Sequence, residues 1–271
     1  MNEIGKKPIG IFDSGIGGLT VLREIINLLP AEDFVYFGDS KRAPYGTKSK
    51  ESITNFAFQD ARFLLDMGVK AMVVACNTIS SNSIDEIRNN FEVPVFEVIG
   101  PGARAGISAT EKNKIAVIGT DATVSSGAYV KKIHEINGNI KVVQKSCPLF
   151  VPIAEEGRHM WDSSIALLVA DMYLGEILET DSDVLILGCT HYPLLKDVIS
   201  RVVGEKMKIV DSAHSTASEL VSMFGGNRES MNGKGRISIF TSDSREKFLP
   251  LSRAILESED FTVEHVNIEK Y

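Results

Sequence analysis

The chain has 271 residues, 44% hydrophobic and 24% charged, the balance of a globular enzyme and not of a disordered or fibrous chain. Its formal net charge of −7 disfavours non-specific attraction to nucleic acid or an anionic membrane, so neither is an expected partner, although local donors in a cleft could still hold a small anion. Three cysteines without paired short spacing fit neither a disulfide framework nor a zinc site, so free thiols in a reducing compartment and no metal are expected.

The first residues lack the apolar core and cleavage pattern of a signal peptide, and no apolar run reaches the roughly 18 residues of a spanning helix, which predicts a cytoplasmic protein. A prior of about 150 residues per domain predicts one large domain or two moderate ones.

Residues 8–12 are a short apolar run ending at Asp13-Ser14-Gly15-Ile16-Gly17-Gly18. Leu19, Leu22, Ile25, Ile26 and Leu29 then recur at helical spacing, which predicts strand, glycine turn and helix. Residues 34–37 form the next strand and 38–46 a polar loop long enough to carry function. A helix over 49–67 has Ser49 as its N-cap and Gly68 as its stop. The strand over 71–75 ends at Cys76-Asn77-Thr78, and a helix over 80–91, a strand over 93–98 and a helix over 101–109 follow.

The pattern then restarts, weakly in residue identity but in the same order. Residues 114–120 form a strand with a polar end, 124–135 a helix, 140–145 a strand, 147–152 an apolar connection and 165–178 a helix. The strand over 184–188 ends at Cys189-Thr190-His191. A helix over 194–203, a strand over 207–210, a helix over 212–224 stopped by Gly225, and a turn over 232–235 come next. Strand, helix and strand over 237–241, 247–256 and 261–266 could complete either half. Alternating β and α elements predict an α/β fold of two similar units, each with a mainly parallel sheet, meeting near residues 98–101 with the active site in the cleft between them.

Ligands in open parallel sheets bind where strands end and helices begin. Asp13-Ser14, Pro44-Tyr45-Gly46, Cys76-Asn77-Thr78 and Cys189-Thr190-His191 all fall at such ends. A cysteine closing a buried strand is ordinarily a small hydrophobe, and Cys147 keeps that reading. Cys76 and Cys189 precede hydrogen-bonding residues at expected helix starts, where the dipole should favour a thiolate. Asp13-Ser14 and the following glycines form either a structural turn or an anion cradle, and the GxGxxG spacing and the phosphate-loop motif are both missing. His191 is near enough to Cys189 to tune or protonate a neighbour. Glu155 and Glu156 suit a solvated helix end, with one of them able to point into the cleft. A hydrolase needs one nucleophile and a base, whereas two equivalent thiols suit removal of a proton from one face of a carbon and its return on the other, which is racemisation.

Together, residues 9–21, Tyr36-Phe37-Gly38-Asp39, 44–49, Ala75-Cys76-Asn77-Thr78 and 188–194 resemble, in order and over essentially the whole chain, the glutamate racemases of the aspartate/glutamate racemase family. The resemblance implies a cofactor-independent, two-base interconversion of L- and D-glutamate, the D-isomer serving peptidoglycan synthesis. By position, Cys76 would deprotonate D-glutamate and Cys189 L-glutamate, with Asp13, Glu155 and His191 as supporting catalytic groups. Asp13, Ser14, Tyr45, Gly46, Asn77, Thr78, Thr190 and His191 match the substrate-binding segments. A homodimer is implied, as are two domains, 1–98 plus 212–271 and 99–211.

Ile79-Ser80-Ser81 and the loop over 40–43 depart from the usual pattern without touching the expected chemistry. No long N-terminal extension of the precursor-regulated kind is present, so that activation is not expected. Aspartate racemases tend to carry an acidic residue after the threonine, where this chain has His191. A non-catalytic two-lobed module that clamps an amino acid is the rival from a different class, and it would bind glutamate without exchanging the α-hydrogen.

Overall fold

The computed structural model describes residues 7–224 and 233–271. In chain order the elements are β1 (Ile9–Asp13), α1 (Leu19–Leu28), β2 (Phe34–Gly38), α2 (Lys50–Asp66), β3 (Ala71–Val74), α3 (Asn77–Asn90), β4 (Val95–Glu97) and α4 (Ile99–Ala109). Then come β5 (Lys114–Gly119), α5 (Asp121–Ser126), α6 (Ala128–Ile136), β6 (Lys141–Ser146), α7 (Phe150–Glu155), α8 (Arg158–Trp161) and α9 (Ser164–Leu178). The chain continues through β7 (Val184–Gly188), α10 (Lys196–Val203), β8 (Lys208–Asp211), α11 (Ala213–Phe224), β9 (Ile237–Thr241), α12 (Arg245–Leu256) and β10 (Thr262–His265). The expected stop at Gly225 and the start of the turn at Asn232 lie outside the described residues.

The strands form two sheets, ordered β10-β9-β2-β1-β3-β4 and β6-β5-β7-β8, and every pairing is parallel. Parallel sheets are covered by helices on both faces, which explains why β1, β3 and β7 are buried along their whole length and read as continuous apolar runs. The ambiguous tail joins the first sheet: β9 pairs with β2 from Phe34↔Ile237 to Gly38↔Thr241, and β10 pairs with β9. No helix among the described residues is long and apolar enough to cross a membrane.

Several boundaries differ from expectation for local reasons. The helix expected from residue 80 starts at Asn77, because Ser80 N–H already bonds to Cys76 C=O at 2.9 Å and closes the first turn at the strand end. The helix expected over 124–135 is two helices, α5 and α6, divided at Gly127, whose φ of +66° breaks the right-handed run. Within the expected connection over 147–152, helix α7 begins at Phe150, with Pro152 in the first turn where a missing N–H costs little. The helix expected from residue 194 is a 3₁₀ turn over Tyr192–Leu195 followed by α10. Ser49 caps α2 as expected, its Oγ accepting the Ser52 N–H at 3.2 Å.

Candidate active site

Each sheet has one place where the strand order reverses. In the first, the chain steps from β1 to β2 on one side and then crosses to β3 on the other, which opens a crevice at the carboxyl ends of β1 and β3. In the second, it steps from β5 to β6 and crosses to β7, opening a crevice at β5 and β7. The residues leaving these four strands are Asp13-Ser14, Cys76, Thr120 and Cys189. Both thiols line one narrow pocket, together with Ser14, Tyr45, Gly46, Asn77, Thr78, Glu155, Thr190 and His191. Of the site residues expected from sequence, Asp13 alone does not line it.

Asp13 is fully buried behind the wall. Its carboxylate accepts the Gly15 N–H at 2.9 Å and the Thr190 hydroxyl at 3.1 Å, and Thr190 C=O in turn accepts the Thr20 hydroxyl at 3.1 Å. Asp13 thereby ties the end of β1 to the turn after β7. Burial pushes its carboxyl above the ordinary range, against the pull of His191 and of the bonds from Gly15, Thr190 and Gly18.

Cys76 occupies the N-cap position of α3, and its thiol donates to Ser14 Oγ at 3.6 Å. The expectation that a helix start would lower this thiol is overturned. Burial pushes Cys76 up to about 12, with Asp13's charge acting the same way, and these outweigh the Ile79 N–H and the Ser14 hydroxyl. A helix end acts over one turn, whereas desolvation removes the whole hydration of the thiolate. After Cys189 the chain makes an irregular turn and then a 3₁₀ turn over Tyr192–Leu195, so the α-helix start expected there is absent.

Cys189 instead meets His191, whose Nδ1 lies 3.7 Å from its sulfur, while His191 Nε2 lies 3.1 Å from Glu155 Oε1. Burial opposes the imidazolium, yet the contacts with Cys189 and Glu155 prevail and hold His191 well above its ordinary value. Burial likewise works to raise Glu155, and the bond and charge of His191 more than offset it, leaving the carboxyl below its usual range. Glu156 is exposed and bonds to no side chain at the site, so the geometry singles out Glu155 of the two adjacent acids.

Sequence reasoning passed over Thr120, Val151 and Ala43, which also line the pocket with the expected Pro44. Thr120 carried a usable signal, since it ends β5 as Asp13 ends β1; its hydroxyl meets Thr78 at 2.9 Å and Thr123 at 3.0 Å, joining the two crevices. Behind Tyr45 lies a buried polar cluster with no such signal. The Tyr45 hydroxyl donates to Asp39, which also receives Arg42 Nε at 2.5 Å and Ser242 Oγ at 2.7 Å, and Arg42 reaches Asp60 at 3.1 Å. Burial, reinforced by the charge of Asp39, pushes Asp60 well above the carboxylate range despite Arg42.

Comparison with known proteins fits this arrangement. Residues 9–220 match the family model of the Asp/Glu/hydantoin racemases. The glutamate racemase of Geobacter metallireducens is 45% identical over 266 residues, covering 97% of each chain. Among solved structures, glutamate racemase isoform RacE1 from Bacillus anthracis superposes with a TM-score of 0.90 at 38% identity, covering 96% of this chain and 97% of that one. Glutamate racemase from Francisella tularensis, solved in complex with D-glutamate, gives the same TM-score and identity over 98% of this chain and all of that one. A family match across most of the chain and relatives this similar along its length lead to one conclusion: the chain belongs to the Asp/Glu/hydantoin racemase family, among its glutamate racemases.

Proposed function

We propose that this protein interconverts L- and D-glutamate by moving the α-proton between two cysteines, without a cofactor. The observation that carries the reading is that Cys76 and Cys189, from the switch points of two different sheets, line one narrow pocket. One thiolate takes the proton from Cα, the C–H electron pair passes into the carboxylate as an enediolate, and the opposite thiol returns a proton to the other face. Cys76 acts on D-glutamate and Cys189 on L-glutamate, and each serves as the acid in the reverse direction.

His191 is the polar partner of Cys189, and Glu155 fixes the orientation of the ring. Ser14 plays the corresponding part for Cys76, while Asp13 acts through Thr190, whose hydroxyl it holds. The Asn77, Thr78 and Thr190 side chains, with the segment around Tyr45-Gly46, supply the polar contacts for the substrate's two carboxylates and amino group. Glutamate is preferred over aspartate on the strength of His191 after Thr190 and of the relatives' activity. The D-glutamate formed would serve peptidoglycan synthesis in the cytoplasm.

We also read the chain as two domains, 1–98 plus 212–271 and 99–211, that assemble into a homodimer. An apolar stripe on α9, with Ile165, Leu168 and Met172 exposed by 55%, 70% and 56%, supports self-association. The catalytic reading is tested by incubating the protein with L-glutamate, and separately with L-aspartate, in heavy water. Loss of the α-proton and of optical rotation is expected with glutamate; tight binding of glutamate without exchange would instead identify a binding module.

A further inference from the structure

The amide of Asn77 has an unusual standing in the pocket. Asn77 is 2% exposed and lines the cavity beside Cys76, and its Nδ2 has no hydrogen-bond partner among the described residues, whereas its Oδ1 accepts the Tyr129 hydroxyl at 2.7 Å. A buried amide nitrogen without a partner costs free energy unless a ligand supplies the acceptor. Tyr129 comes from α6, on the other side of the cleft from α3, and is itself fully buried. Its ring sits in a slot cleared by two glycines: a Cβ on Gly102 would come within 3.1 Å of the Tyr129 hydroxyl, and one on Gly188 within 3.0 Å of its ring. Burial raises the phenol far above its ordinary value, so the hydroxyl keeps its proton to donate.

We propose that Tyr129 is a positioning residue that fixes the rotamer of the Asn77 amide, holding Oδ1 away from the pocket so that both Nδ2 hydrogens face the substrate carboxylate. An amide turned the other way would present its oxygen to an anion and repel it. In the reversed orientation the buried Tyr129 hydroxyl would lose the acceptor for its proton, and that penalty is present only while Tyr129 carries the hydroxyl. This inference rests on the proposed action on glutamate.

The test is a double-mutant cycle on Tyr129→Phe and Asn77→Ala, read as KM and kcat for each enantiomer of glutamate. Tyr129→Phe removes the hydroxyl and keeps the ring in its slot. It should raise KM about tenfold, part of the value of a hydrogen bond to a charged group, with a smaller change in kcat. Asn77→Ala should raise KM at least as much, and Tyr129→Phe should add nothing in the Asn77→Ala background. An unchanged KM in Tyr129→Phe, or effects that multiply in the double variant, would overturn the proposal. A second readout needs no substrate: the Asn77 side-chain amide signals in a ¹H–¹⁵N spectrum should shift in Tyr129→Phe, and unshifted signals would overturn it as well. Wild-type protein that fails to turn over glutamate would count against the catalytic reading alone, since the amide signals still judge the orientation.

Discussion

His191 and Glu155 meet at 3.1 Å across the pocket wall, one from the turn after β7 and the other from the last turn of α7, leaving the second ring nitrogen 3.7 Å from the Cys189 sulfur. The ring's orientation is therefore set by a carboxylate that does not itself touch the sulfur. Replacing His191 by Asn should lower the rate from L-glutamate about 10²-fold, at the lower end of what a positioned acid or base contributes. Glu155→Gln should cost about tenfold, since a neutral amide can still accept the ring N–H. Initial rates in both directions check this, and a greater loss from D-glutamate would contradict the pairing of His191 with Cys189.

The pH dependence of stability follows from Cys76. Below 9.0, the ordinary thiol value, folded and unfolded chains both hold the proton and the group contributes no slope. Between there and about 12 the unfolded chain loses its proton first, so alkaline pH favours unfolding. Wild-type protein should lose melting temperature across that window faster than Cys76→Ser, and thermal scans at stepped pH give the comparison. His191 has the same sign in a lower window. Its raised imidazolium contributes stability that is fully present below about pH 6.5 and fades as pH rises through the folded value, so the advantage of wild type over His191→Asn should shrink on going alkaline.

Arg42 is the cation held between the buried carboxylates of Asp39 and Asp60. Its removal in Arg42→Ala leaves those groups without their counter-charge and should destabilise the fold by about 3–5 kcal/mol. Pairing Arg42→Met with Asp60→Asn should recover much of that loss, as when an ion pair is replaced with its charge balanced. Denaturant midpoints at constant slope measure both effects.

Leu168 is the most exposed large apolar side chain on α9. If that face joins two copies, Leu168→Glu should convert a dimer into a monomer by sedimentation equilibrium and remove the concentration dependence of the melting temperature. A dimer unaffected by the substitution would place the contact elsewhere.

Much of this was legible in the sequence because parallel strands are buried on both faces and end abruptly in polar residues. That pattern marked Asp13, Cys76 and Cys189 and, with the restart at residue 114, the two sheets. What escaped depends on contacts distant in sequence. Tyr129 sits in an amphipathic helix and reads as core; its bond to Asn77 exists because α6 crosses to the start of α3. The Asp39–Arg42–Asp60 cluster draws on a loop and the middle of α2, where charged residues ordinarily imply solvent. The two thiols were placed correctly at strand ends but judged by the local helix dipole, while burial governs Cys76 and an irregular turn follows Cys189.

The central claim, that two thiols share one proton transfer from opposite faces, is tested most directly by the direction of loss in single-cysteine variants. Cys76→Ser and Cys189→Ser are each incubated with L-glutamate and D-glutamate in heavy water, and α-deuterium incorporation is followed by NMR. The account predicts that Cys189→Ser loses about 10²- to 10⁴-fold in abstraction from L-glutamate and Cys76→Ser the same from D-glutamate. Full exchange of both enantiomers by both variants would show that the thiols are not the bases.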